Sequence, residues 1–370
     1  MNAKITAQGL VVEQVQAEGY ESVQIVRDAA SGLEAIVSIH NTALGSAFGG
    51  CRLWTYDSPA AALTDALRLS RGMTYKNAMA NLPCGGGKAV ILRKPDMDRD
   101  AVFAAFGNFI NSLGGQYVTA EDVGTTVNDM LVVREQTPFV SGIAGHESAG
   151  GDPSPLTALG VFLSIQSAVS KIIGRERLHG TTVAVQGLGS VGMELCRLLS
   201  EAGCELVVAD ITASRVNSCV KAYGAKAVSV DEILFEKVDV LAPCALGGVL
   251  NAKTTDQIKA KIIAGAANNQ LATIEDGDAL HARGVVYLPD YLVNAGGIIS
   301  VYREYESRSS KSDIRTEVGQ IADRVIELLD RMTKSDLAPA RITDAWAQSL
   351  IAPQVPQANP STLASTVPCQ

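Results

Sequence analysis

The sequence predicts an α/β fold in two parts: an N-terminal α/β domain, then a doubly wound domain of parallel strands, with a cleft between them. Three observations lead there. Short apolar runs alternate with longer amphipathic ones along most of the chain, the pattern of strands covered by helices. Its character changes across a loop-like stretch, His146-Glu147-Ser148-Ala149-Gly150-Gly151-Asp152-Pro153-Ser154-Pro155. The 370 residues are also enough chain for two sizeable cores. The expected division is 1–140, with about 331–352 returning to it, against 141–330. Residues 353–370 are rich in Pro, Ser and Thr and read as a disordered tail.

The elements follow in order. Ser22 to Arg27 alternates polar and apolar, and Leu33 to His40 follows a turn of Asp28-Ala29-Ala30-Ser31-Gly32, a hairpin signature. Ser58-Pro59 opens a long helix, serine as N-cap and proline in the first turn, with Leu63, Ala66, Leu67 and Ser70 at helical spacing. Lys76 falls near its end, and Gly85-Gly86-Gly87 is expected to break it before a buried strand, Ala89 to Leu92. A helix from Ala101 to Leu113 leads to a strand at Gln116 to Thr119. After the loop, a helix from Leu156 to Ile173 precedes the strand Thr182 to Gln186, then a glycine turn, a helix and the strand Glu205 to Asp210. Later strands are expected at Val238 to Ala242, Ile262 to Ala264 and Val285 to Tyr287, and a charged helix at Asp313 to Met332.

Composition narrows the function. Hydrophobic residues make up 47% and charged residues 19%, as in a folded globular chain. A net charge of −8 argues against nucleic acid or an anionic membrane as partner. No apolar run looks long enough for a membrane span, and the N-terminus lacks a secretory core. Seven scattered cysteines without a CxxC pair fit reduced thiols in a cytoplasm. The four histidines are scattered too, so no metal site is expected.

Two features carry chemistry. Lys76 and Lys88 bracket a glycine run; two ammonium groups in an apolar setting repel and lose hydration, and both effects lower the pKa towards that of a usable base. One lysine can then hold an anionic substrate while the other exchanges protons. The second feature is Gly187-Leu188-Gly189-Ser190-Val191-Gly192, between an apolar strand and a helix, with Asp210 at the tip of the next strand. That context marks a Rossmann-type dinucleotide site: Gly187 for the tight turn, Gly189 for close phosphate approach, Gly192 for helix packing, and free N–H groups for the phosphates. Asp210 would bind the adenosine ribose hydroxyls and repel a 2′-phosphate, which favours NAD over NADP.

With both features in place, the chain resembles the amino-acid dehydrogenases of glutamate, leucine, valine and phenylalanine, the leucine branch most of all. The resemblance rests on Gly49-Gly50-Cys51-Arg52-Leu53-Trp54, the two-lysine segment, Thr119 to Thr126, Gly151 to Pro155, Ala264 to Gln270 and Pro289 to Gly297. It implies NAD-dependent oxidative deamination of an L-amino acid to a 2-oxo acid and ammonium, in a homo-oligomer between dimer and octamer. Carried over, Lys76 binds the substrate carboxylate, Lys88 activates water, and Asp122 exchanges a proton with the amino group. Gly49, Gly50 and Asn269 join the substrate side. Thr157, Ala266, Ala267, Asn268 and Asn294 join the cofactor side with the glycine turn, although Asn268 and Asn269 fit either the nicotinamide ribose or the substrate amine. Cys84 reads as a packing thiol.

Substrate choice is expected in Phe48, Ala120, Ile298 and Val301. Glutamate enzymes of this family carry a lysine where this chain has Phe48 and a serine where it has Val301, so a distal carboxylate would be desolvated without a partner. An apolar substrate is implied, branched-chain before aromatic (phenylalanine or tryptophan). Phe48 and Tyr302 are both bulkier than the leucine pattern and leave the choice open. A non-catalytic nucleotide sensor is disfavoured because Lys88 and Asp122 are both present. A hydroxy-acid dehydrogenase would need a histidine acid/base that no motif supplies.

Overall fold

Each half of the molecule is organised by its own sheet. The computed structural model describes residues 3–5, 9–143, 152–307 and 310–352. The first sheet holds β1 (Ala3–Ile5), β2 (Val11–Val15), β3 (Ser22–Asp28), β4 (Leu33–Asn41), β5 (Ala47–Phe48), β6 (Cys51–Trp54), β7 (Gly85–Leu92) and β8 (Tyr117–Val118). Its order is β1-β2-β3-β4-β7-β5-β8, with β6 also on β7. The expected hairpin is the antiparallel pair β3–β4, Gln24 opposite Val37. The helices α1 (Pro59–Met79), α2 (Arg99–Ser112) and α3 (Val127–Gln136) complete this half. Ser58 caps α1 through its side chain, which accepts from the Ala61 N–H, and proline follows at the first turn. Asp98 and Thr126 cap α2 and α3 in the same way.

The glycine run behaves differently from expectation. Helix α1 has already ended at Met79, and all three glycines lie inside β7. A Cβ on Gly86 would strike the Thr74 backbone nitrogen of α1, and one on Gly87 would meet the Tyr117 ring at 2.7 Å. The run is therefore a bare strip of strand against which helix and neighbouring strand press directly.

The second sheet is wholly parallel: β9 (Thr182–Gln186), β10 (Glu205–Ala209), β11 (Lys226–Ala227), β12 (Val240–Pro243), β13 (Ile262–Ile263) and β14 (Val286–Tyr287). Its order, β11-β10-β9-β12-β13-β14, is that of a Rossmann fold, whose direction of winding reverses between β9 and β12. Around it lie α4 (Ser154–Ala168), α5 (Ser190–Glu201), α6 (Ala213–Tyr223), α7 (Ile274–Ala282), α8 (Asp290–Val293), α9 (Gly296–Glu306), α10 (Lys311–Met332) and α11 (Pro339–Ile351). Helix α11 touches both halves: Gln348 Nε2 donates to the Tyr75 hydroxyl of α1 at 2.9 Å, while Ala340 is buried with the β12–β14 core.

One helical stretch corrects the reading of apolar runs. Ser154–Ile173, helix α4 and a following π-helical turn, is long and apolar enough to cross a membrane, with a mean hydropathy of 1.6. Val161, Ile165, Ala168 and Val169 on it are fully buried, and α5, α9 and α10 pack against α4. Its apolarity is explained by this central position in the core. The six cysteines among the described residues are free thiols. Residues 144–151, most of the expected boundary loop, and the 353–370 tail lie outside the described residues.

Candidate active site

A cleft of about 960 Å³ lies where the two sheets meet. Lys88 is brought to its wall by β7. Side chains alternate along a strand, so Lys88 shares with Gly86 the face turned towards α1. Because Gly86 carries no side chain, α1 lies close enough to set Lys76, two residues past Thr74, in the same cleft.

Asp122 meets Lys88 there: its Oδ2 is 2.7 Å from Lys88 Nζ. The loop after β8 holds it in place. The Asp122 N–H donates to Thr125 Oγ1 at 2.9 Å, and that hydroxyl donates to the Cys51 carbonyl at 3.0 Å. Its carboxylate caps no helix; the cap of α3 is Thr126, paired with Asp129. Arg52 Nε also reaches Asp122 Oδ2 at 3.3 Å. Burial pushes the Asp122 pKa up, but Lys88 and Arg52 outweigh it and hold the group down at about 2.

Lys76 stretches across the cleft and donates to Asn268 Oδ1 at 3.0 Å. Burial of its ammonium lowers its pKa to about 8, with Lys88 adding to the drop and Asp290 opposing it. The lowered value thus falls on the lysine expected to hold the carboxylate. Asn294 Nδ2 donates to the same Asn268 oxygen at 2.9 Å and to the Ala266 carbonyl at 3.0 Å. Its own Oδ1 is buried and without a partner.

The glycine turn joins β9 to α5. Gly187 has φ +95°, and a Cβ on Gly192 would collide with the Gly187 carbonyl. Gly189, the N-cap of α5, offers no side chain to cover the helix's first N–H groups. Asp210 accepts from the Leu188 and Thr212 N–H groups, each at 2.7 Å. Burial raises its pKa, these backbone bonds lower it more, and the carboxylate stays ionised. The open Asn294 carbonyl, the uncapped helix start and the ionised Asp210 fit a nicotinamide dinucleotide lying from the cleft to the tip of β10.

Most of the expected residues come together. Gly50, Lys76, Lys88, Ala120, Asp122, Asn269, Ile298 and Val301 line the cleft with Thr157, Ser190, Val191, Ala266, Asn268 and Asn294. Gly187, Leu188, Gly189, Gly192, Asp210 and Ala267 do not line it; all but Ala267 belong to the β9–α5 turn and the tip of β10. Gly49 lies behind the wall, where a Cβ would strike the Gly87 carbonyl. Phe48 departs from expectation. Its ring is buried among Tyr302 and Tyr305, with centroids 5.4 and 5.8 Å away, and is not part of the lining. Tyr302 is likewise buried behind the wall.

Asp290 was given no role by the motif that contains it. It lines the cleft, and its carboxylate accepts the Gln270 and Tyr291 N–H groups, clamping the turn that presents Asn268 and Asn269. The signal was an acidic residue at the first position of a short helix, directly after a proline. Glu121, also on the lining, has its pKa raised by burial and by Asp129, Asp152 and Asp122.

Two family models match the chain. Residues 20–139 match the Glu/Leu/Phe/Val dehydrogenase dimerisation domain, and residues 208–341 match the Glutamate/Leucine/Phenylalanine/Valine dehydrogenase model. The chain belongs to the Glu/Leu/Phe/Val dehydrogenase family. It is an amino-acid dehydrogenase, an oxidoreductase. The leucine dehydrogenase of Bacillus subtilis is 48% identical over 84% of this chain and 86% of its own length. An L-tryptophan dehydrogenase of Nostoc punctiforme is 43% identical over 87% of this chain and 90% of its own. The crystal structure of the L-tryptophan dehydrogenase from that organism superimposes with a TM-score of 0.78, covering 90% of this chain and 96% of the other at 40% identity.

Proposed function

We propose that this dehydrogenase catalyses the reversible, NAD-dependent oxidative deamination of an apolar L-amino acid, branched-chain substrates first, to a 2-oxo acid and ammonium. The observation that carries the reading is the Lys88–Asp122 pair, 2.7 Å apart, facing Lys76 in a cleft whose other walls include Ala120, Ile298 and Val301. NAD⁺, held by Asn294 and the glycine turn before α5, would supply the hydride acceptor for the substrate Cα. The ammonium of Lys76 pairs with the substrate carboxylate. Asp122, ionised beside Lys88 and Arg52, accepts a hydrogen bond from the substrate amino group. Lys88, in its neutral form, withdraws a proton from water as the oxygen attacks the imino carbon, and that proton passes through Asp122 to the departing ammonia. Ala120, Ile298 and Val301 offer the substrate side chain an apolar wall.

Two observations favour NAD over NADP: Asp210 is ionised at the ribose position, and Arg215 stands 3.9 Å off it, exposed and already paired with that carboxylate. Phe48 and Tyr302 pack on each other behind the wall, so their bulk need not narrow the pocket, which supports leucine, isoleucine and valine. An aromatic substrate is the second reading, favoured by the likeness to a tryptophan dehydrogenase. The protein is expected to work as a homo-oligomer in the cytoplasm. The test is NADH formation with a panel of L-amino acids, NAD⁺ and NADP⁺ supplied separately. Turnover should be greatest for branched-chain substrates with NAD⁺. No turnover with any apolar L-amino acid would sink the proposal.

A further inference from the structure

Behind Asp122 runs a line of charge that the reaction as described leaves unused. Arg52, on β6, reaches Asp122 Oδ2 with Nε at 3.3 Å and Asp65 Oδ2 of α1 with Nη1 at 2.9 Å. The Tyr56 hydroxyl donates to the same Asp65 oxygen at 2.5 Å. The arginine is thus held from two sides, and 18% of its side-chain surface remains exposed. Lys88 and Arg52 share one carboxylate oxygen, and only one of the two can give up its charge: a guanidinium does not deprotonate in proteins.

We propose that Arg52 is a positioning residue of the reaction, the permanent counter-ion that keeps Asp122 ionised and in place while Lys88 passes through its neutral form. The inference rests on the roles given above to Lys88 and Asp122. When Lys88 has given up its proton, Asp122 would be a largely buried carboxylate without a cation, and the cheapest remedy would be to hold the proton within the pair. Arg52 removes that incentive. The other charged groups around Asp122 do not replace it. Lys76 faces it from α1 but is committed to the substrate carboxylate, and Glu121, next in the chain, adds negative charge. The Cys51 thiol and the Tyr117 phenol, both beside it, stay neutral because burial pushes them well up.

The test compares Arg52→Gln and Arg52→Lys with the unaltered enzyme in the intact protein, following NADH over the accessible pH range. The ascending limb of kcat/KM for deamination reports proton loss from the Lys88–Asp122 pair as a unit. Removing a fixed cation makes that loss harder, so in Arg52→Gln the limb moves to higher pH by about one unit or more. At a fixed pH on that limb its kcat/KM therefore falls about 10-fold or more, while NAD⁺ affinity is unchanged. Arg52→Lys keeps the charge, so its limb stays within about half a unit of the unaltered enzyme even if kcat drops. A folded Arg52→Gln with an unmoved limb overturns the proposal. So does an Arg52→Lys limb displaced by about one unit, a result that decides the matter even if Arg52→Gln does not fold. If the unaltered enzyme ignores branched-chain substrates, the substrate reading fails; the limb can then be measured with whichever amino acid is turned over.

Discussion

Replacing Lys76 with methionine should make the ligand-free protein more stable while destroying its activity. The lysine is held in the cleft with its pKa lowered from 10.5 to about 8, chiefly by burial. A charged form disfavoured by between two and three pK units costs the folded state at most about 3 kcal/mol at neutral pH, since the half-buried side chain keeps some contact with cleft water. Against that stands the hydrogen bond from Nζ to Asn268 Oδ1, worth about 1 kcal/mol. Methionine keeps the length and sheds both, for a net gain of at most about 2 kcal/mol, or about 3 °C in Tm for a chain this long. The sign can be checked by pH. Below about 8 the folded protein carries the unfavourable charge, and the cost is fully present. Between about 8 and 10.5 the unfolded chain binds more protons than the folded one, so the stability of the unaltered protein rises with pH. The advantage of Lys76→Met should therefore be largest at neutral pH and gone above 10.5. Substrate binding moves the other way: a carboxylate left without its cation costs about 3 kcal/mol or more, seen as a KM raised at least 100-fold. The assays are thermal unfolding at several pH values and steady-state kinetics. A Lys76→Met protein less stable than the original at pH 7, or an advantage that persists unchanged to high pH, would refute the reasoning.

Two further outcomes follow from the geometry. Gly86→Ala places a Cβ on the backbone of α1, so it should cost more than about 3 kcal/mol in chemical denaturation or abolish soluble expression; a substitution costing less than about 1 kcal/mol would contradict the packing described. Asp210→Ser removes the ionised carboxylate at the tip of β10, proposed above to meet the NAD ribose, while leaving Arg215 at hand. It should raise kcat/KM with NADP⁺ relative to NAD⁺ by about 10-fold or more, measured with both cofactors, whereas an unchanged ratio would remove Asp210 from cofactor selection.

The sequence was legible where local chemistry and long-range packing agree. Ser58-Pro59 starts a helix by capping alone, and Thr182 to Gln186 with its glycine turn reads as strand and helix start from a few residues. Motif resemblance nominated Lys76, Lys88, Asp122, Asn268 and Asn294, which all face one cleft. What escaped was whatever depends on a distant partner. Gly85 to Gly87 look like a helix breaker, because only the packed neighbours Thr74 and Tyr117 show that a strand must be bare there. Phe48 looks like a pocket residue until the rings of Tyr302 and Tyr305, more than 250 positions away, are seen to enclose it. Arg52 and Asp290 stood inside quoted motifs without a role, since neither charge has meaning until its partners are placed.

The bare strip of β7 also limits how this enzyme can be redesigned. On that side a new side chain has no room at Gly50, which has Asp122 Cβ 2.8 Å from where its own Cβ would be, nor behind the wall at Gly86 and Gly87, which are closed by α1 and Tyr117. Directed evolution therefore has little to vary at those glycines. A library aimed at new side chains on the substrate should be confined to Ala120, Ile298 and Val301, two of them on one helix face of the other domain. Because Ile298 and Val301 are three residues apart on α9, adjacent on its surface, their changes will be coupled, and paired randomisation will find variants that single-site scans miss.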